Sequence, residues 1–280
     1  MAEIKDVVAG YPLPKDLADW NRLNLQHYLY KEVFGYILHP KIQRNQKSLS
    51  IADVGTGTGI WLLDLSSQLD ASTELVGLDA DISQVGAQEW LPQNMSLREW
   101  DAFTDPPKEL QAKFDIVNLR LFCYVIQDDP TIVLRNVIKL LMFAEPGGYL
   151  QWCDVDVSSM HINTSRPNVS TDSLQRMWDE TIPKGSLLRP SWPRDLPQCF
   201  EKEGLLEVEA DWQEGKRHTG IAMHWCNLPV HEMMVDKLRA ANPAKASELH
   251  DLIQDVFAVS RKGATYSFDR VVVIGRKASV

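Results

Sequence analysis

Residues 49–61 read Leu-Ser-Ile-Ala-Asp-Val-Gly-Thr-Gly-Thr-Gly-Ile-Trp, and this stretch decides the fold. The apolar run Leu49–Val54 is typical of a buried strand, and Ile60–Leu69 has the spacing of a helix. The glycines between them let the backbone turn tightly and approach a ligand, at the start of a helix whose amide groups point at that ligand. The stretch therefore predicts a strand, a glycine turn and a helix that form one side of a binding site.

Strands and helices alternate through the rest of the chain. Further strands are predicted at Glu74–Leu78, Ser96–Trp100, Phe114–Leu119, Tyr149–Val155, Leu205–Trp212 and Tyr266–Gly275, and helices at Ile82–Trp90, Thr131–Phe143, Leu196–Glu203, Ile221–Leu238 and Pro243–Val259. Residues 156–190 have no regular pattern. The alternation predicts an α/β fold with a mostly parallel sheet and helices on both faces. The last two strands add to one edge of that sheet and bring it to seven strands.

Composition and charge exclude several classes of protein. The chain has 280 residues, 29 of them basic and 38 acidic, and a net charge of -9 that is concentrated in residues 51–130. A duplex-binding protein needs a basic face, so no nucleic-acid partner is expected. The longest apolar run, Val137–Ala144, is interrupted by Lys139 and falls far short of the ~18 residues that span a bilayer, so no membrane partner is expected. The first residues lack an apolar stretch behind a basic start, which makes cytoplasm the default localisation.

Two acids near the glycines indicate the kind of ligand. Asp79 ends the second predicted strand, 22 residues after Gly57, where a carboxylate can take both ribose hydroxyls of a nucleoside. Asp53 stands two residues before Gly55, and the third glycine comes one residue too early for the dinucleotide fingerprint. A carboxylate at Asp53 suits an ammonium group better than a pyrophosphate. S-adenosylmethionine has both an ammonium group and a ribose, whereas a nicotinamide cofactor is disfavoured.

These motifs resemble those of class I S-adenosylmethionine-dependent methyltransferases, which have a Rossmann-like sheet. The likeness is closer still to a fungal subfamily that serves secondary metabolism, and it covers nearly the whole chain. The matching segments are Arg22-Leu-Asn-Leu-Gln-His27, residues 53–61, Gln84, Pro92, Asn94, Phe114-Asp115, Arg120, Pro146-Gly147-Gly148 and residues 273–277. None of these motifs names a substrate.

The resemblance implies a cofactor site. Asp53 would hold the ammonium group of S-adenosylmethionine, Asp79 the ribose and Asp101 the adenine amino group, while Arg120 would either anchor the carboxylate or brace the sheet. The complete predicted site is Asp53, Gly55, Thr56, Gly57, Asp79, Ala80, Trp100, Asp101, Asn118, Leu119 and Arg120.

The order of the elements predicts one domain over residues 1–280, in which the apolar positions from Leu17 to Leu38 fit a long helix that ends near His39-Pro40. An N-terminal helical arm, residues 1–47, folds over the cofactor, and residues 48–155 form the cofactor-binding half. Residues 156–280 form the acceptor-side half, with a helical lid at about 215–264 before the last strand. A homodimer is one option for assembly, because the arm could cover its own pocket or a neighbour's.

Histidine and carboxylate side chains are the candidates for catalysis. A base helps methyl transfer when the acceptor is a hydroxyl. His27 in the arm and His161 after the fifth strand are the predicted catalytic residues. Asp154 and Asp156 could serve as a base or as metal ligands, but we interpret them as solvated carboxylates at a strand end, and we predict no metal site.

The predicted reaction is methyl transfer from S-adenosylmethionine to an oxygen, or as second choice a nitrogen, of a small, bulky and apolar secondary metabolite. Tryptophan and methionine side chains in the C-terminal half, among them Trp178, Met223 and Met234, could form a wall for a polycyclic or aromatic acceptor. The core of a helical lid is the favoured explanation for them. The alternative function is a protein that binds the cofactor without methylating and that catalyses a cyclisation or pericyclic rearrangement, or regulates secondary metabolism.

Overall fold

The computed structural model describes residues 3–4, 13–43, 48–143, 147–184, 186, 188–215 and 217–278. The linker residues 44–47 and Pro146 of the predicted Pro-Gly-Gly turn lie outside these ranges. Everything below concerns the described residues.

Seven strands form one sheet. They are β1 (Ser50–Val54), β2 (Glu74–Asp79), β3 (Met95–Glu99), β4 (Ile116–Arg120), β5 (Tyr149–Thr164), β6 (Leu206–Gln213) and β7 (Ala264–Arg276), in the order β3-β2-β1-β4-β5-β7-β6. All pairings from β3 to β5 are parallel, and β7 runs antiparallel to both of its neighbours. The predicted Rossmann-like, seven-stranded and mostly parallel sheet is confirmed.

Helices cover both faces of this sheet. They are α1 (Leu17–Phe34), α2 (Ile60–Ser66), α3 (Thr131–Leu140), α4 (Asp172–Thr181), α5 (Leu196–Lys202), α6 (Arg217–Arg239) and α7 (Pro243–Ser260). Alternation along β1 sends Ile51 into one apolar cluster with α1 and α2, and Ala52 and Val54 into the other with α3, α4 and α5. None of the described helices combines the length and the apolar character needed to cross a membrane.

The N-terminal arm and the insertion before the last strand lie against each other. α6 and α7 connect β6 to β7, and α6 packs on α1. The arm helix ends at Phe34 rather than near Pro40, because Gly35 adopts a left-handed conformation (φ 81°) and its N–H bonds to the Lys31 carbonyl. The residue limits given above for the arm, the two halves and the lid stay predictions.

Three further segments differ from the sequence-based expectation, one of them being α4, which lies within residues 156–190, where the sequence shows no regular pattern. The helix predicted at 82–90 is replaced by two short 3-10 turns, Ile82–Gln84 and Gln88–Trp90, on either side of Gly86, whose φ of 91° interrupts a helix. β5 continues nine residues past Val155, because its far half pairs with β7 after a bulge between Asp156 and His161. That long-range pairing has no counterpart in the local sequence pattern.

The strand order places the site. β2 lies on one side of β1 and β4 on the other, so the chain leaves β1 and β4 in opposite directions. A crevice opens at the carboxyl ends of parallel strands at such a reversal, and this is where α/β sheets bind ligands.

Candidate functional site

A cleft lies at the carboxyl ends of β1, β2 and β4, with a void of about 1220 Å³ that includes the part open to solvent. We call it the outer cleft. Nine of the eleven predicted cofactor residues line it: Asp53, Gly55, Thr56, Gly57, Asp79, Ala80, Trp100, Asp101 and Arg120. Lys15 and Leu23 from the arm also line it, and Thr58 donates a 2.6 Å hydrogen bond to Asn24 of the arm. The arm therefore closes one side of the cleft.

The glycine turn forms the floor of the outer cleft. Gly55, Gly57 and Gly59 have φ values of 68°, 54° and 74°, a region that side chains other than glycine rarely adopt. A Cβ on Gly55 would lie 2.7 Å from the Phe122 ring. The amides of Gly55 and Thr56 both donate to the Leu78 carbonyl, at 2.8 and 3.1 Å. The turn therefore has the backbone conformation that only this pattern of glycines permits.

Asp53 is held from behind by a chain of amide side chains. Its Oδ1 accepts from Asn118 Nδ2 at 2.8 Å, and its Oδ2 accepts from Thr56 Oγ1 at 2.9 Å. Asn118 Oδ1 in turn accepts from Gln151 Nε2 at 2.9 Å, and Gln151 Oε1 accepts from the His39 amide at 2.8 Å. Asn118 thus lies behind the cleft and positions Asp53 rather than lining the cleft itself.

Burial governs the charge state of Asp53. It raises the pKa of Asp53 to about 6, against the opposing effects of the Asn118 hydrogen bond, the Arg120 charge and the Thr56 hydrogen bond. Leu119, the other predicted residue outside the lining, has a side chain fully buried in the core. The residue that follows Arg120, Leu121, lines the cleft instead.

Asp79 and Asp101 occupy the other end of the outer cleft. Asp79 Oδ2 accepts from the Gly57 amide at 2.9 Å and its Oδ1 from the Asp81 amide at 3.0 Å, so the carboxylate is fixed against the glycine turn. Asp101 is exposed and accepts from the Phe103 amide at 3.0 Å. Between them, the Trp100 indole N–H is buried without a partner among the described residues.

His27 lies behind Arg120, outside the described lining of the outer cleft. Arg120 Nη1 is 2.8 Å from His27 Nδ1, and His27 Nε2 is 2.9 Å from Asp64 Oδ2. A guanidinium can only donate, so Nδ1 accepts and Nε2 carries the proton to Asp64. Burial, followed by the Arg120 charge, lowers the pKa of His27 to about 4. In this geometry His27 contacts Arg120 and Asp64, and its catalytic role stays a prediction.

His161 lies apart from the outer cleft. It is half-buried on β5, and its Nε2 is 2.7 Å from Glu214 Oε1 on the strand-to-helix connection. Burial acts to lower the pKa of His161, but the hydrogen bonds to Glu214 and to the Ser159 carbonyl raise it overall. The structure does not bring His161 to the predicted cofactor residues.

The two strand-end acids are not solvated, contrary to the expectation. Asp154 is fully buried and accepts from the amides of Phe122 (2.9 Å), Cys123 (3.2 Å) and Val155 (2.9 Å) and from the Trp152 indole (3.1 Å). Burial raises its pKa to about 6.

Asp156 is also buried, and its Oδ2 binds Nε and Nη2 of Arg194 at 3.0 and 2.7 Å. Long-range packing, which the sequence pattern does not report, has covered both carboxylates.

A second cavity, with a void of about 660 Å³ that includes the part open to solvent, lies under the arm between α1, α6 and β7, and we call it the inner cavity. It shares the residues Leu23 and Leu121 with the outer cleft. Leu121 has a φ of 63°, a strained conformation for a branched side chain, at the point where the two spaces meet.

Aromatic rings dominate the lining of the inner cavity. Tyr30, Tyr124, Trp178, Tyr266 and Phe268 all contribute. Among the tryptophans and methionines singled out in the sequence, Trp178 lines the cavity, whereas Met223 and Met234 are buried in the core. Core packing therefore accounts for Met223 and Met234, while an acceptor wall that includes Trp178 stays a prediction.

The residues of the outer cleft fit S-adenosylmethionine. Asp53 and Arg120 offer opposite charges near the glycine turn for an ammonium and a carboxylate group, and Asp79 offers a carboxylate for a ribose. The close approach of Phe122 to Gly55 leaves no room for a side chain on the turn. These residues would hold the cofactor.

Comparisons with known proteins agree with this geometry. A family model described as a methyltransferase domain matches residues 25–209, more than half of the chain. The N-methyltransferase verN of Clonostachys rogersoniana is 28% identical over 214 residues, which cover 75% of this chain and 70% of verN. The methyltransferase grgD of a Penicillium species is 31% identical over 166 residues, 57% of each chain. The secondary metabolism regulator laeA of Coprinopsis cinerea is 26% identical over 208 residues, 72% of this chain and 46% of laeA.

Solved structures share the fold. A protein of Bacillus halodurans solved as a candidate methyltransferase superposes with a TM-score of 0.50 at 16% identity, over 85% of this chain and 96% of the other. A Haloferax volcanii protein solved with the Trm112 methyltransferase activator gives 0.51 at 15% identity, over 93% and 95%. With the domain match, it follows that the chain belongs to the class I S-adenosylmethionine-dependent methyltransferases and that S-adenosylmethionine is its cofactor.

Proposed function

We propose that the protein transfers the methyl group of S-adenosylmethionine to a nitrogen or oxygen of a small acceptor held in the inner cavity. The observation that carries this proposal is the contact between the two spaces at Leu23 and Leu121. An acceptor in the inner cavity would face the methionine end of the outer cleft, where Asp53 and Arg120 lie. The oxygen expected from the sequence has no support among the relatives, whereas verN, an N-methyltransferase by name, supports nitrogen.

Positioning is the main contribution that the residues make to this reaction. The bound cofactor supplies an electrophilic methyl group on a sulfonium. Asp53, Asp79 and Arg120 would fix its two ends, while the buried Phe122 and the partly buried Leu121 would exclude water from the boundary between the two spaces. Alignment of two reactants in this way can lower a barrier by ~7–11 kcal/mol.

The inner cavity holds a neutral imidazole whose tautomer is defined by its partners. Thr181 donates its hydroxyl proton to the Met177 carbonyl at 2.7 Å, so its oxygen accepts from His231 Nδ1 at 2.7 Å. His231 Nε2 therefore accepts the hydroxyl proton of Tyr266 at 3.1 Å. Lone pairs on the Tyr266 oxygen remain for an acceptor N–H or O–H, which would orient the attacking atom.

His231 is a poor general base. Burial, followed by the neighbouring His224, lowers the pKa of His231 to about 3. The proposal therefore favours an acceptor that is nucleophilic without losing a proton first, such as an uncharged amine or an already ionised oxygen.

Binding of S-adenosylhomocysteine by an Asp79→Ala variant tests the cofactor site. We expect an affinity lower by about 100-fold, because loss of charged hydrogen bonds to both ribose hydroxyls costs ~3 kcal/mol. Asp81→Ala is the matched control, since Asp81 is two residues away and pairs with Lys15 at the surface. The affinity of this variant for S-adenosylhomocysteine should stay within about threefold of that of the parent protein. Calorimetric titration measures both. Unchanged affinity in Asp79→Ala, or thermal stabilisation by NAD alone, contradicts the site.

Methyl transfer is tested separately. Incubation with S-adenosylmethionine and an extract that contains acceptors should release S-adenosylhomocysteine together with a product that is heavier by one methylene. A product of unchanged mass without such release would contradict methyl transfer and favour the second candidate, a cofactor-binding protein that rearranges its ligand. Binding of the cofactor without any turnover would favour a regulator, a function that similarity to laeA supports.

A further inference from the structure

We propose that the inner cavity binds its acceptor through an anionic oxygen group, such as a carboxylate, and that Arg270 is the residue that anchors it. This inference rests on the proposed function, because it assigns the chemical class of the acceptor to the cavity named there.

Arg270 is a buried cation with an unused edge. It lies on β7, is 1% exposed and lines the inner cavity. Its Nη1 donates to two backbone carbonyls, those of Glu214 at 3.0 Å and Phe268 at 2.9 Å. Its Nε is buried with no partner, and no hydrogen bond of its Nη2 or ion pair of the guanidinium is present among the described residues. The neighbouring carboxylate, that of Glu214, is bonded to His161 instead.

The unused edge is the one that recognises carboxylates. Nε and Nη2 of arginine point in the same direction and form two parallel hydrogen bonds with a carboxylate. The same chain uses this edge for carboxylates twice, although both nitrogens converge on one oxygen each time: Nε and Nη2 of Arg22 donate to Asp19 Oδ1, and those of Arg194 donate to Asp156 Oδ2. A buried cation without a counter-charge is costly, so the free edge of Arg270 points to an anionic partner that is not among the chain's described residues.

The rest of the inner cavity also favours a ligand with oxygen acceptors. Its described lining contains two arginines and no aspartate or glutamate. Arg22 is neutralised by Asp19, which leaves Arg270 as the uncompensated charge. The Trp178 indole N–H, in the same lining, is buried without a partner among the described residues. Two buried donors of this lining, Arg270 Nε and the Trp178 indole N–H, are thus without described partners, and the lining lacks the carboxylates that the outer cleft has in its three aspartates.

The aromatic lining limits the rest of the ligand. The Arg270 guanidinium carbon lies 5.7 Å from the Tyr30 ring centroid and 6.0 Å from that of Phe268. These rings shield the charge from water and strengthen its interaction with an anion. A flat apolar ligand with one anionic oxygen group matches both the aromatic lining and the Arg270 guanidinium.

The test compares acids with their amides. We would titrate benzoate, naphthoate and indoleacetate, each beside its uncharged amide, into the protein with and without S-adenosylhomocysteine, by calorimetry. At least one acid should bind about tenfold more tightly than its amide, as expected for a hydrogen bond to a charged group. Arg270→Met should abolish this preference, and Arg270→Lys, which keeps the charge without the two-pronged edge, should retain part of it. Arg194→Met removes a guanidinium outside both cavities and should keep the preference intact.

The outcomes separate the two proposals. If S-adenosylhomocysteine fails to bind, the cofactor site is wrong, whatever the acids do. If it binds but no acid is preferred over its amide, or if Arg270→Met keeps the preference, the anchoring role of Arg270 is wrong. Should Arg270→Met fail to fold, Arg270→Lys decides, because a preference equal to that of the parent protein would also overturn the proposal.

Discussion

Asp53 illustrates how a single carboxylate can be tuned for a ligand. Both of its oxygens already accept one hydrogen bond, from Asn118 and Thr56, and these bonds fix its orientation at the end of β1. Burial nevertheless raises the pKa of Asp53 to about 6, within reach of ordinary buffers. Its charge should therefore control how strongly it attracts an ammonium group.

Cofactor binding should consequently depend on pH. The ionised form of Asp53 attracts the ammonium group, and this form disappears as the pH falls through about 6. We expect the dissociation constant of S-adenosylhomocysteine to rise about tenfold per pH unit below that point, since one proton must then be displaced. Titration calorimetry between pH 5 and pH 8 measures this. Asp53→Asn, which cannot ionise, should bind weakly at every pH, and an equal slope in both proteins would assign the effect to another group.

At the scale of elements, the end of β4 depends on β5. The chain leaves β4 through Leu121 in its left-handed conformation and enters the turn Phe122–Tyr124, whose first two amides donate to Asp154. Leu121 and Phe122 line the outer cleft, and Leu121 also lines the inner cavity, so a carboxylate on β5 holds the boundary between the two spaces. This structural role explains why Asp154 is buried.

Asp154→Ala should therefore destabilise the fold and weaken cofactor binding together. It would leave two turn amides and the Trp152 indole without partners, and each buried unsatisfied donor costs ~1–3 kcal/mol, so we expect a loss of about 3 kcal/mol or more in the free energy of unfolding. Urea denaturation measures it. Asp236→Ala, which removes an exposed carboxylate paired with Arg239, is the control and should change the stability by less than ~0.5 kcal/mol. Equal stabilities of the two variants would show that Asp154 does not hold the turn.

At the scale of the whole molecule, three buried histidines with lowered pKa values lie in two helices, His27 in α1 and His224 and His231 in α6. Burial lowers the pKa of His27 to about 4, that of His224 to about 4 and that of His231 to about 3. His27 ties α1 to α2, whereas His224 and His231 pack α6 onto Tyr266 of β7. The packing of α1 and α6 around the inner cavity thus depends on histidines that must stay uncharged.

The free energy of unfolding should fall below pH 6.5. An unfolded histidine binds a proton there and a folded one with a pKa near 4 does not, so each of the three costs about 2 kcal/mol between pH 7 and pH 5. Asp53 and Asp154 act in the opposite direction, because folded carboxyls with a pKa of about 6 bind protons at a higher pH than unfolded ones do. Each of them raises the free energy of unfolding by about 1.3 kcal/mol between pH 7 and pH 5. Together these contributions should lower the free energy of unfolding by about 3 kcal/mol between pH 7 and pH 5.

Chemical denaturation at a series of pH values checks this dependence. His224→Gln should make the slope between pH 7 and pH 5 shallower by about 2 kcal/mol over the range, whatever it does to stability at pH 7. His250→Gln, at an exposed position of α7, should leave the slope unchanged. A stability that is constant or rising towards pH 5 would contradict the assignment of neutral histidines to the core.

The sequence by itself determined the cofactor side of the protein. Gly55, Gly57 and Asp79 lie within one strand–turn–helix–strand unit, where backbone sterics and the alternation of apolar residues dictate the local conformation. Nine of the eleven predicted cofactor residues line the outer cleft for this reason. The parallel sheet could likewise be predicted, because short apolar strands alternate with helices along the sequence.

Only the tertiary structure decided the acceptor side. His27 lies behind Arg120, Asp154 is covered by the turn after β4, and Arg270 meets Tyr30 across more than 200 residues of chain. Such positions depend on contacts between segments that are far apart in the sequence. A local sequence pattern does not show which distant segment it will pack against. Burial then sets the charge of each group, so what these side chains can do follows from packing rather than from their identity.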